Sequence, residues 1–355
     1  MTIINTISHY RDLINRNLEL FLKNKIQRAE GISPHAKEIM ENILEFNLRG
    51  GKRIRPMLVI FGYKAAGGKG EKEILKAALA VELMEAFLLI HDDIIDQDTL
   101  RRGKETMHVK YERIFEKRRI KGDKKKYGES MAILAGDILS VLGNEAILDT
   151  GFPVKNKMRA AARFNSAVIN TCFGQVLDIE SNHASNIAES DIRNVHELKT
   201  AIYSIEAPLQ IGAYLAGSSQ KVLDALSRYA LPLGRAFQIQ DDILGIFGTQ
   251  KKLGKPIGSD IREGKKTLLI LKALELAEKK DADFIKKKLG AKSLAKKDIC
   301  RIKDIITKTG SLEYSKEKAR NLVWKAKKAI SGNILKKEGK DFLLGLADYL
   351  LEREN

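Results

Sequence analysis

Two runs of aspartate, each at the end of an apolar segment, hold most of the chemistry legible in this sequence. The first is His91-Asp92-Asp93-Ile94-Ile95-Asp96-Gln97-Asp98. On a helix, Asp92 and Asp96 fall on one face. Like charges at that spacing repel, and a cation held between them relieves the repulsion. Hard carboxylate oxygens suit magnesium, which keeps several waters and shares the phosphate oxygens of a substrate. Arg101-Arg102-Gly103 follows closely, with two guanidiniums shaped for phosphate. The plainer reading is a solvated helix end followed by a basic turn. Against it stands the long apolar segment leading in, which would otherwise end in charges without partners.

The second run is Phe237-Gln238-Ile239-Gln240-Asp241-Asp242-Ile243-Leu244-Gly245, followed by Lys255, Gly258, Asp260 and Gly264-Lys265-Lys266-Thr267. Alone it reads as a helix end and a polar loop. Two such ends in one chain are harder to ascribe to accident. A third feature, Gly50-Gly51-Lys52-Arg53-Ile54-Arg55-Pro56, combines glycines that permit close backbone approach with cations able to hold a diphosphate. It is no P-loop, and by itself it reads equally as a basic turn before a helix opened by Pro56. Lys199-Thr200 and Gly174-Gln175 with Asp178 are weaker signals. The six histidines lack zinc spacing and read as structural, with His91 set apart by the acids beside it. No Ser-His-Asp arrangement is discernible.

The elements that must position these residues are helical. The stretch Glu73 to Asp98 is apolar on nearly every face until its acidic end, the pattern of a buried central helix. A second apolar segment runs from Leu231 to Phe247, and Lys316 to Ile330 and Leu335 to Leu351 are amphipathic. Ser33-Pro34 opens a helix in the N-cap and N1 arrangement. The six prolines read as punctuation between helices, and no alternating strand pattern is evident. Residues 117 to 126 hold seven basic residues and one acid, read as a solvated loop inserted between helices.

The chain has 355 residues, 44% of them hydrophobic, enough to bury a sizeable core. Its formal charge of +17 favours anionic partners without choosing among nucleic acid, membrane and phosphorylated small molecules. Cys172 and Cys300 make no CxxC pair, which fits a reducing cytoplasm. No signal peptide and no uninterrupted run of eighteen apolar residues occurs, so no transmembrane segment is expected. With no Pro-, Ser- or Gly-rich linker, residues 1–355 read as a single domain.

In order along the chain, these residues resemble the trans-isoprenyl (polyprenyl) diphosphate synthase family. The likeness runs from Gly50 to about Leu269 and takes in GGKRIRP, HDDIID with RRG, LAGD at 134–137, GQVLD at 174–178, KT at 199–200, FQIQDD at 237–242 and GKPIGSDIREGKKT at 254–267. It implies an all-α isoprenoid synthase fold, a single-domain bundle of helices around a deep central apolar cavity, usually as a homodimer. The implied activity is a magnesium-dependent condensation of isopentenyl diphosphate with an allylic diphosphate (dimethylallyl, geranyl or farnesyl). By resemblance, Asp92 and Asp96 hold two Mg2+ ions and Asp241 helps hold a third, with Asp93 and Asp242 in support. Arg101, Lys199, Lys255 and Lys265 assist on the allylic diphosphate. Lys52, Arg55 and Arg102 hold isopentenyl diphosphate, and Thr200 and Gln238 lie near the forming carbocation. The proton released at the end goes to diphosphate, so no dedicated protein base is required.

The floor of the product cavity is expected one or two turns before Asp92. Helix geometry selects Leu88 and Met84, whereas resemblance selects Phe87 and Leu88. Bulky residues there imply a short-chain product, geranylgeranyl diphosphate first and farnesyl diphosphate next. Three departures from the family pattern stand out, the basic insert at 117–126, which has no assigned family role, being one. Glu85, an anion, stands where the family often places His or Gln against isopentenyl diphosphate, and Gly245 replaces a third aspartate of the second run. A class I terpene cyclase would not need GGKRIRP. A non-catalytic subunit of a heteromeric synthase would have eroded acidic motifs. A nucleic-acid-binding protein would leave the acids at the helix ends unexplained.

Overall fold

The computed structural model describes residues 2–184, 186–248, 258–291 and 293–351. They divide into two compact units, Met1–Phe164 with Ile211–Gly217, and Asn165–Gln210 with Ser218–Asn355.

The first unit is built on α1 (Ile3–Glu30), α2 (Pro34–Asn47), α3 (Ile54–Ala65), α4 (Lys72–Ile95), α5 (Met107–Lys117) and α6 (Lys124–Leu148). Ser33 caps α2 by accepting the Ala36 N–H at 3.1 Å, with Pro34 in the first turn, as the sequence predicts. α4 is the central helix. Its residues from Ile74 to Ile90 are mostly buried, and it packs against α6, α3 and α1. Close packing on α6 depends on glycine: a methyl group on Gly143 would lie 3.2 Å from the Ala80 carbonyl and 2.6 Å from the Phe164 ring. Between α4 and α5 the chain forms a hairpin of two strands, β1 (Leu100–Arg101) and β2 (Lys104–Glu105), paired antiparallel. Strands of two residues have no room for an alternating pattern, which is why the sequence showed none.

The second unit holds most of α7 (Val154–His183), α8 (Glu189–Val195), a π-helix (His196–Glu206), the start of α9 (Ala207–Leu215) and α10 (Gln220–Phe247). Shorter helices follow at Ser259–Arg262, Leu268–Leu276, Lys279–Lys288 and Lys296–Lys308, then long ones at Ser311–Ala329 and Lys337–Leu351. α10 is the axis of this unit and packs against the π-helix and Ser311–Ala329. The widened turn ends with the Ala207 N–H bonded to the carbonyl of Ile202, five residues back, and Pro208 follows at once. Proline lacks a donor, and its ring crowds the carbonyl four residues earlier, which a wider helix relieves.

One expectation is corrected. Pro232 does not punctuate; it lies inside α10, which runs on through it. An interior proline costs about 3 kcal/mol, so tertiary packing on both sides of it must hold the helix together. By length and composition alone α6 could also cross a membrane. Asp137, Ser140, Asn144 and Glu145 interrupt its apolar residues, so it holds no unbroken apolar run. Part of α6 is buried within the protein, where it packs on α4 and α5. The basic stretch at 117–126 is a loop only from Arg118 to Asp123, since Lys117 ends α5 and Lys124 to Lys126 form the first turn of α6, and its charges are partly matched locally. Arg118 pairs with Glu38 at 2.8 Å and Lys124 with Glu116 at 2.5 Å.

Candidate active site

In the first unit the functional side chains come from the end of α4, the loop before α3 and the hairpin. Asp92 is in the last turn of α4, and Asp96 is its C-cap, its N–H bonded to the Asp92 carbonyl at 2.8 Å. No basic residue occupies this last turn. Two carboxylates at the negative end of a helix dipole, with no cation in the turn, suit a bound cation. Asp93 points inward and is fully buried, where the Arg101 guanidinium grips it, donating from Nε at 2.7 Å. Arg101 also reaches Asp98 at 3.3 Å and Asp92 at 3.9 Å. Burial alone would lower the Arg101 pKa, but Asp93 and its neighbours outweigh it and raise it. Arg101 therefore orders the acid cluster from behind.

Arg102 is placed by backbone geometry. It forms the hairpin turn with Gly103, and both have positive φ, 54° and 74°. A two-residue hairpin turn favours such angles, which glycine adopts freely and arginine does not. The result presents Arg102 to the glycine loop, where it donates to the Gly50 carbonyl at 2.6 Å. Gly50 and Gly51 have φ of 97° and 130°, so the loop's path itself favours glycine there. Lys52 is exposed on this loop. Arg53 is buried and committed to structure, bonded to Glu82, to Asn15 at 2.8 Å and to the Asn47 carbonyl at 2.6 Å. Arg55, in the first turn of α3, pairs with Glu85 at 2.9 Å, and Arg102 approaches the same Glu85 oxygen at 3.5 Å.

Of the candidate floor residues, Met84 is fully buried and Leu88 partly so. The Phe87 ring meets the His91 ring edge-on, 4.9 Å between centroids, and His91 in turn contacts the Ile133 carbonyl at 3.1 Å. Glycine in LAGD makes room for this, since a methyl group on Gly136 would lie 2.2 Å from His91 Nε2. His91 is thus a packing residue between α4 and α6.

In the second unit, Lys199 and Thr200 lie on the π-helix. Lys199 pairs with Asp178 at 2.6 Å. Thr200 donates to Gln238 Oε1 at 2.6 Å, and Gln238 donates to Asp242 Oδ1 at 2.8 Å. His196 Nε2 lies 3.2 Å from the other oxygen of Asp242. Asp242 is therefore turned into a polar network, while Asp241, on the adjacent face, is partly exposed. Gly174 and Gly234 allow the backbones to meet: methyl groups there would fall 2.3 Å from the Lys199 nitrogen and 2.5 Å from the Ala201 Cα. At Gly245 the methyl would fall 2.3 Å from a carboxylate oxygen of Asp260, so an acid from another segment fills the space beside this departure from the family pattern. Lys265 pairs with Glu263 at 2.5 Å. Lys255 lies outside the described residues.

Asp178 and His196 were not given roles by sequence reasoning. Asp178 sits in a motif noted only as weak, and its partner is 21 residues away. Among the described residues no three carboxylate, histidine or cysteine side chains converge as a closed metal cage. An all-carboxylate site that leaves positions for water and phosphate is the kind magnesium uses, and Asp92 with Asp96 fits it.

An all-helical chain with aspartate-ended apolar helices and a guanidinium pair beside a glycine loop defines an isoprenoid synthase-type protein. The polyprenyl synthetase family profile matches residues 37–306, and the chain belongs to that family. It is 35% identical to the geranylgeranyl diphosphate synthase of Sulfolobus acidocaldarius over 324 residues, 90% of this chain and 91% of that one. It is 34% identical to the geranylfarnesyl diphosphate synthase of Aeropyrum pernix over 310 residues, 86% and 91% of the two chains. The crystal structure of geranylgeranyl pyrophosphate synthase from Corynebacterium glutamicum, complexed with isoprenyl diphosphate and magnesium, superposes with a TM-score of 0.92. Identity there is 32%, covering 97% of this chain and 99% of that one. The all-α isoprenoid synthase fold is thereby established.

Proposed function

We propose that this protein is a magnesium-dependent short-chain prenyl diphosphate synthase that joins isopentenyl diphosphate to an allylic diphosphate and releases diphosphate. The observation that carries the reading is the pairing, within one unit, of a guanidinium site at Arg55 and Arg102 with the carboxylates of Asp92 and Asp96 at the open end of α4. Arg55 and Arg102, with Lys52, would bind and orient isopentenyl diphosphate through its phosphate oxygens. Asp92, Asp96 and Asp241 would hold magnesium, with Asp93 and Asp242 fixed behind them by Arg101 and by Gln238. When bound, the metal would neutralise charge on the allylic diphosphate and so favour its departure. Lys199, Lys265 and Lys255 would share that charge, and Asp178 would orient the Lys199 ammonium. Thr200 and Gln238, joined at 2.6 Å, would set fixed dipoles near the developing cation. Met84, Phe87 and Leu88 would limit the growing chain.

The family profile runs through both units, and we take residues 1–355 as one catalytic domain. We assign the product as geranylgeranyl diphosphate, with farnesyl diphosphate next. We take the protein as a homodimer and, from the free thiols of Cys172 and Cys300, as cytoplasmic. We propose no nucleic-acid partner, because the cations at the site are matched to phosphate binding beside carboxylates that nucleic acid would avoid. The test is product analysis with isopentenyl diphosphate and dimethylallyl, geranyl or farnesyl diphosphate, with and without magnesium. Metal-dependent geranylgeranyl diphosphate is expected. No elongation from any of the three starters would reject the reading.

A further inference from the structure

Arg55 and Arg102 are aimed from two different segments at one carboxylate oxygen, Glu85 Oε1, at 2.9 and 3.5 Å. The three side chains are mostly shielded yet not sealed, at 17%, 27% and 14% exposure. One turn earlier Glu82 is almost fully buried and bound by Arg53. Burial, with Glu85 close by, pushes the Glu82 pKa up, against the opposing pull of Arg53 and Arg102. The two carboxylates therefore answer to three guanidiniums. Arg53 is locked by Asn15, the Asn47 carbonyl and Glu82. Arg55 and Arg102 are more exposed than Arg53, so an anion from solvent can reach the guanidiniums that hold Glu85.

We propose that Glu85 is an internal counter-anion of the isopentenyl diphosphate site, holding Arg55 and Arg102 in place until the diphosphate takes them over, and so setting that site's affinity. The inference rests on the function proposed above. Without an anion, two guanidiniums converging on one point would repel and splay. One carboxylate keeps both in register for phosphate oxygens. A diphosphate brings more charge and more acceptor oxygens than one carboxylate and can displace it. The displaced carboxylate stays near the bound anion and opposes it. Removing one like charge at this range corresponds to roughly a fivefold to tenfold gain in affinity. Glu85 is then a positioning residue that weakens binding without touching the reacting atoms.

The test uses the full chain and the nearly isosteric Glu85→Gln, with Glu85→His as a second neutral variant of different shape. Steady-state rates are measured with isopentenyl diphosphate varied at saturating allylic substrate. Binding of inorganic diphosphate is measured by calorimetry without divalent metal, where the aspartates do not recruit it. In both variants the KM for isopentenyl diphosphate and the Kd for inorganic diphosphate should fall about fivefold to tenfold, while kcat moves less than twofold. Unchanged or weaker binding overturns the proposal, and so does loss of the helical circular dichroism in both variants, which would make Glu85 a structural partner. If no elongation occurs but the variants bind diphosphate more tightly, the counter-anion stands and the proposed function fails. If elongation occurs with an unchanged KM, the counter-anion alone fails.

Discussion

Asp92 and Asp96 were legible in the sequence because a four-residue interval fixes two side chains on one helix face whatever the rest of the chain does. Replacing Asp92 or Asp241 by alanine should lower kcat/KM by on the order of a hundredfold to a thousandfold or more, as for loss of a main electrostatic contact to a developing charge. The helical circular dichroism should stay unchanged, because Asp92 and Asp241 are partly exposed, unlike the buried Asp93. Near-normal turnover in either variant would reject their assignment to metal. The product floor belongs to the same scale. Phe87 packs on His91 and Met84 is fully buried, so truncation at Phe87 and Leu88 opens space one turn before Asp92. Phe87→Ala/Leu88→Ala should shift the product by at least one prenyl unit, read by chromatography of the dephosphorylated prenols. The same product distribution as wild type would move the floor elsewhere. Glu85 was legible as an anion out of place, but its two arginine partners lie 30 residues before it and 17 after it, and only the fold joins them. Asp178 was hidden for the same reason: its meaning is an ion pair with Lys199 on another helix.

The long helices could be read from their apolar periodicity, and the capped start of α2 from Ser33-Pro34. The hairpin and the π-helix could not be read. The hairpin is too short for a pattern, and helix widening leaves no mark on residue types beyond a following proline. Glycines at crossings show how tightly the π-helix is held. A methyl on Gly174 would collide with backbone rather than with a flexible side chain, so Gly174→Ala should cost about 1–3 kcal/mol in unfolding free energy. It should also displace Lys199 and lower kcat. An alanine variant as stable as wild type would show that α7 and the π-helix can separate without penalty. The hairpin is tied to α2 by charge. Glu45 accepts from Arg49 at 2.7 Å and pairs with Lys104 at 2.9 Å and Lys110 at 3.3 Å, while Arg49 donates to the Glu105 carbonyl at 2.7 Å. Burial works to raise the Glu45 pKa, but these bonds outweigh it and hold it at about 2. A carboxylate depressed on folding contributes stability above its unfolded pKa, and that stability is lost as pH falls towards the folded value. The hairpin should therefore loosen between about pH 4.5 and pH 2. Amide exchange at Leu100 to Glu105 should accelerate there in wild type and already at neutral pH in Glu45→Gln. Equal protection in the two proteins at neutral pH would remove Glu45 as the tie.

At the scale of the whole molecule, the question is what covers the apolar side chains that the described residues leave outside. On α6, Leu134, Val141 and Leu148 recur at intervals of seven and are 53%, 69% and 47% exposed. Such a row forms a stripe along one side of a helix. On α7, Ile169, Phe173 and Val176 make a second stripe, 53%, 59% and 55% exposed. Aliphatic and aromatic stripes of this length on long helices are what obligate interfaces bury, and they fit a second copy of this chain better than open solvent. A second copy seated on this stripe would account for the apolarity of α6, whose other side packs on α4. The wild-type protein should sediment at about twice its monomer mass of 39.7 kDa. Introducing charge into the stripe with Leu134→Glu/Val141→Glu should shift it to the monomer mass, since two unpaired carboxylates per copy would be buried at the contact. A double variant that remains dimeric would place the interface elsewhere. A wild-type protein that is monomeric in solution and floats with lipid vesicles through this same stripe would instead make α6 a membrane-facing helix.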